Sequence, residues 1–242
     1  MANLQNMPPL TIDSTVLADW GQKWFSNTNP DNGNTKKTNA FDRHQSVNFG
    51  YLFDQAVGEA LAEMLGNIPI RTPSSSSLLP PEEDCVEVGT SRVVGGIRPQ
   101  NYDAVYRPDG IRVAFDSKSL NDQKSIGKNW QNMVNDLATE ASTVHIRFPQ
   151  CVVAFIVILP APALTASQGT AIIRTLERMS GRRNPLDPTH LAEAISLLVW
   201  DPTTGHVDNH LPAPHSTLRI ENFSEQLSTQ YFERYKGLPP HD

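Results

Sequence analysis

The stretch that most restricts the fold is residues 151–159, CVVAFIVIL, nine consecutive apolar residues rich in β-branched side chains and closed by Pro160. A strand with no polar residue on either face must be covered on both, which places it inside a sheet packed between helices. The run is far shorter than the roughly 20 apolar residues that span a bilayer as a helix. The N-terminus, MANLQNMPPL, lacks a basic region followed by an apolar core. The reading is a cytoplasmic protein without membrane contact.

Helical periodicity supplies the layers around that strand. Val16, Leu17, Trp20 and Trp24 recur at helical spacing behind Thr11 and Asp13 as caps. Residues 48–65, NFGYLFDQAVGEALAEML, place Phe53, Val57, Ala60, Leu61 and Met64 on one helical face, with Gly66 as the stop. Asp54 falls on the border of that face, where an acid can look into a cleft beside the core, while Glu59 and Glu63 lie on the other border. Residues 86–94 form a strand broken at Gly89, a hairpin follows, and Ser119 or Asn121 caps a helix to about Thr139. A helix over about 167–179, a strand over 195–200 and a helix over 223–235 complete the chain. Two segments carry no periodicity: the Asn-rich residues 26–40, whose Lys36 and Lys37 are candidates to touch phosphate, and residues 71–84. The order implies an α/β sandwich around a mixed sheet, in a single domain over 1–242 with its core at about 48–160 and elaborations at 1–47 and 161–242.

Composition excludes several functions. The net charge of -6 gives no global attraction to a polyanion, so any nucleic-acid contact must be local. Cys85 and Cys151 stand alone, without the spacing of a disulfide framework or a zinc site. The histidines at 145, 190, 206, 210 and 215 form neither a HExxH nor an HNH pattern.

Chemistry concentrates in residues 101–122, NYDAVYRPDGIRVAFDSKSLND, which read as a hairpin. Ile111, Val113, Phe115 and Ser117 share one face of its second strand; Arg112, Ala114, Asp116 and Lys118 share the other. The first face packs, leaving Asp116 and Lys118 to project together from an edge of the sheet. With an even loop, Tyr106 pairs Ile111, Asp103 lies across from Ala114, and Asp103 joins the face of Asp116. A three-residue loop with a bulge sends Asp103 to the opposite face, so the register is open at this stage. Converging carboxylates repel unless a cation joins them, and Mg²⁺ is the hard divalent ion suited to oxygen ligands. A neighbouring lysine can orient or deprotonate the water that attacks phosphorus, or stabilise charge developing on the phosphate oxygens.

Asp103, twelve intervening residues and Asp116-Ser117-Lys118 together resemble the PD-(D/E)XK nuclease motif of type II restriction endonucleases, Holliday-junction resolvases and Mrr-type nucleases. Gly50-Tyr51-Leu52-Phe53-Asp54, with Val57, Leu61 and Leu65-Gly66 after it, is similar to the opening helix of Mrr and resolvase nucleases. Tyr102 stands where the motif has proline, and Asp54 where glutamate is usual. The resemblance covers about residues 50–122 and implies a restriction-endonuclease-like αβα sandwich with a central mixed sheet. It further implies Mg²⁺, with Mn²⁺ as a substitute, held by Asp54, Asp103, Asp116 and the main-chain carbonyl of Ser117. Glu59 is the alternative third acid. Asp103, Asp116 and Lys118 become the catalytic residues of an in-line hydrolysis that leaves a 5′-phosphate.

Duplex DNA is then the expected partner, and a homodimer the expected assembly if both strands are cut. Local basic residues are the candidates for phosphate contact: Arg92, Arg98 and Arg112 around the hairpin, Lys124 and Lys128 after it, and Arg182 and Arg183 further on. Two alternatives stay open beside a restriction enzyme. One is a structure-specific repair or recombination nuclease; the other is a catalytically inert, nuclease-like DNA-binding module.

Overall fold

The computed structural model describes residues 4–26, 39–74 and 77–241. Lys36 and Lys37 lie outside them. A six-stranded mixed sheet in the order β1-β2-β3-β4-β5-β6 is flanked by helices on both faces. The strands are β1 (Ile70–Arg71), β2 (Val86–Val94), β3 (Pro99–Tyr106), β4 (Val113–Ser119), β5 (Val152–Pro160) and β6 (Ala194–Trp200). β2, β3 and β4 form an antiparallel meander, whereas β4, β5 and β6 are parallel and joined through helices. Among the described residues no helix is long and apolar enough to cross a membrane.

β5 behaves as its composition requires. Every one of its residues is buried. Val152, Ala154, Ile156 and Ile158 pack in the core under α1 (Ser14–Phe25), α2 (Arg43–Met64) and α5 (Phe223–Tyr235). Val153, Phe155, Val157 and Leu159 pack on the other face under α3 (Ile126–His145) and α4 (Ala166–Met179). Helix α2 begins five residues earlier than its apolar pattern predicts, because Asp42 and Gln45 form a reciprocal capping box ahead of the first apolar turn. Helix α3 starts and ends later than predicted; residues 120–125 are spent in the crossing from β4.

The hairpin register differs from the predicted one by two residues. Tyr106 pairs Val113, not Ile111, and Ala104 pairs Phe115. The connection is longer because both of its arginines leave the ladder. Arg107 is buried against Glu87, with contacts of 2.5 and 2.8 Å, and Arg112 is buried against Asp109. A shift of two preserves which face each residue takes. β4 is also an interior strand between β3 and β5, so Asp116 and Lys118 do not project from a sheet edge. They lie where β3 and β4 part: the ladder ends at Ala104 and Phe115.

β3 rolls over at that point. Tyr102 and Ala104, two residues apart, sit in opposite cores, so the chain turns at Asp103 between them. Across from it β2 carries an irregularity between Val88 and Ser91, where Gly89 adopts φ +124°, a conformation that a side chain would disfavour.

Candidate functional site

Three chain segments deliver acids to the opening between β3 and β4. Asp54 comes from α2, Asp103 from the turned-over residue of β3 and Asp116 from β4; all three line a cleft of about 330 Å³. Its walls are Gly50 and Tyr51 on α2 and the Gly89–Thr90 bulge on β2, with Ser117 in its floor. Gly50 is what lets the helix come close: a Cβ there would stand 3.3 Å from Ser117 Oγ.

Asp103 replaces the missing ladder. Its Oδ2 accepts the Ser117 main-chain N–H at 3.0 Å and the Ser117 hydroxyl at 3.4 Å. Asp103 and Asp116 are within hydrogen-bonding reach of each other. Lys118 approaches Asp116 from the α3 side and donates to its Oδ2 and, at 3.0 Å, to Glu140 Oε1. Lys118 therefore meets the same carboxylate as the cleft acids without lining the cleft.

These acids are held against their own charge. Burial, and then the charge of Asp103, push Asp54 up to about 8, with the Ser117 hydroxyl and Lys118 opposing. Burial and the proximity of Asp116 raise Asp103; burial also raises Asp116, against the relief offered by Asp103 and Lys118. Burial works against the Lys118 ammonium, but Asp116 and Glu140 outweigh it and hold its pKa above the ordinary lysine value. In this arrangement the two carboxylates favour the charged form of Lys118. That narrows the roles open to it from sequence.

The donor set suits a hard divalent cation: carboxylate oxygens, a hydroxyl and main-chain carbonyls, with Asp54 Oδ1 buried and lacking any hydrogen-bond partner. As they stand, no three His, Cys, Asp or Glu side chains among the described residues form a ready-made group for a metal ion. Lys118 is engaged with Asp116, and the Ser117 N–H with Asp103.

The other predicted residues separate into two groups. Glu59 is exposed and lines a different cleft with Pro8, Pro9 and Glu63, so α2 brings Asp54 to the site and turns Glu59 elsewhere. Arg112 is 3% exposed, pairing Asp109 and donating to the Pro239 carbonyl. Arg182 is fully buried against Glu193 at 2.7 Å and against the carbonyls of Pro149 and Pro185. Neither is available to a phosphate, because both side chains are buried and engaged with partners in the protein. Arg92, Arg98, Lys124, Lys128 and Arg183 are exposed.

Glu140 escaped sequence reading altogether. The signal was present: it falls among Met133, Leu137, Ala141 and Val144, all on the buried face of α3, and an acid on such a stripe needs a buried partner. Comparisons with protein-family models, with curated proteins and with solved structures find no match.

Proposed function

We propose that the chain is a divalent-cation-dependent DNA endonuclease, of restriction-endonuclease-like αβα architecture, acting most plainly as a type II restriction enzyme. The observation that carries this is the meeting of Asp54, Asp103 and Asp116, from three separate elements, at one opening in the sheet, with Ser117 and Lys118 beside them. Burying three acids together costs stability, and a cation that joins them offsets that cost.

Asp54, Asp103, Asp116 and the Ser117 main-chain carbonyl would hold Mg²⁺ or Mn²⁺. When bound, such an ion supplies positive charge that polarises a phosphodiester and lowers the pKa of water. The chain's own residues do the rest. The aspartates orient the reacting groups, and the Lys118 ammonium, favoured by Asp116 and Glu140, stabilises negative charge growing on the phosphate oxygens. Exposed Lys124, just before α3, and Lys128, in its first turn, both close in sequence to Lys118, contribute to holding the DNA backbone. Cutting both strands of an antiparallel duplex would call for a homodimer.

Incubation of the purified chain with supercoiled plasmid and Mg²⁺ tests the reading. Discrete, sequence-defined fragments are expected, and Asp116→Ala and Lys118→Ala should abolish them. Cutting confined to branched or flapped DNA would reassign the chain to junction processing. No cleavage by wild type, or equal cleavage by both variants, would sink the proposal.

A further inference from the structure

Lys118 is held by more than Asp116. Glu140, 5% exposed on α3, accepts from Lys118 Nζ through Oε1 at 3.0 Å. The same oxygen accepts from Gln100 Nε2 at 3.0 Å, and the Tyr102 hydroxyl donates to the Glu140 main-chain carbonyl at 2.8 Å. Gln100 and Tyr102 belong to the segment of β3 that runs into Asp103, so one strand fixes both the cleft acid and the anchor of the lysine. The other carboxylate oxygen, Oε2, is buried and has no partner. Around it on the buried face of α3, Met133, Leu137, Ala141 and Val144 are apolar.

We infer that Glu140 is a positioning residue for Lys118, holding the ammonium beside Asp116 from the face of the sheet opposite the cleft. Asp116 alone would leave a flexible four-carbon side chain with one tether; a second carboxylate, itself tied to β3, defines its place. The arrangement would also keep Lys118 at the site if Asp116 turned its oxygens to another cation, since the contact to Glu140 is independent of it. The chemical value of this rests on the nuclease reading, whereas the clamp itself does not.

Reductive methylation of the lysines in the full chain, followed by peptide mass, tests the clamp directly, with exposed Lys124 and Lys128 as internal standards. In wild type Lys118 should react about tenfold more slowly than they do, and Glu140→Ala should close most of that gap, with Glu140→Gln between. Glu140→Gln preserves shape and decides the matter should the alanine variant fail to fold. Equal Lys118 reactivity in wild type and a folded variant overturns the inference. In plasmid cleavage, the variants should lower kcat by about tenfold to a hundredfold with KM held. Unchanged kcat also overturns the positioning role. A wild type that cuts no DNA, with Lys118 still released by the variants, removes the nuclease reading and leaves the clamp standing.

Discussion

Replacing Asp54 by asparagine tests whether the acids at the sheet opening are held against their own charge. Asp54 is only 6% exposed, and its carboxyl is pushed from 3.8 up to about 8, first by burial and then by Asp103. Between those values the folded chain keeps a proton that the unfolded chain has lost. The stability this proton contributes is therefore complete below about pH 4 and is lost as the pH rises toward about 8. At roughly 1.4 kcal/mol per pH unit, the interval from 3.8 to pH 7 corresponds to about 4 kcal/mol. Asparagine removes the charge but still buries a polar group, so about half of this, ~2 kcal/mol, is recovered. Asparagine keeps the shape and cannot ionise. In a chain of 242 residues the gain should appear as a rise in Tm of about 4–8 °C near neutral pH. Thermal unfolding followed by circular dichroism in the presence of a chelator reads it. The advantage should shrink to under about 1 kcal/mol at pH 5. A variant less stable than wild type at pH 7.5, or one with the same difference at both pH values, would refute the reasoning.

Three further outcomes follow from buried and exposed cations. Arg107→Met strands Glu87, which is fully buried, and should cost about 3–5 kcal/mol in urea denaturation; adding Glu87→Gln should recover much of it. Lys124→Glu and Lys128→Glu should each weaken duplex DNA binding and flatten the salt dependence by about one in log–log slope. Conservative changes at Arg182 should instead lower stability and leave that slope unchanged, because its guanidinium is consumed inside the protein.

The fold was legible where burial is uniform or periodic. The apolar run over residues 151–159 lies in β5 (Val152–Pro160) but for Cys151, an interior strand buried on both faces, and residues 223–235 formed α5. Alternation did not settle where Asp103 lies, because β3 rolls over there, and the register itself was wrong by two because Arg107 and Arg112 find buried partners that no local pattern announces. The same tertiary pairing misled the reading of the basic residues: an arginine in an ion pair and one waiting for a phosphate look alike in sequence. Asp54 was placed by helical geometry, which turned Glu59 away, whereas Ser117 entered only through the resemblance, by its main-chain carbonyl. The roll of β3 at Asp103 and the approach of Glu140 depend on contacts between segments far apart in the chain.

In the proposed site Asp54, Asp103 and Asp116 gather a divalent cation. Electron paramagnetic resonance of Mn²⁺ in the presence of the purified chain measures this without any substrate. Wild type should bind Mn²⁺, Asp103→Asn and Asp116→Asn should each weaken binding by at least about tenfold, and Glu59→Gln should bind as wild type does. Mn²⁺ bound equally by all four proteins, or by none of them at millimolar concentration, would contradict the account.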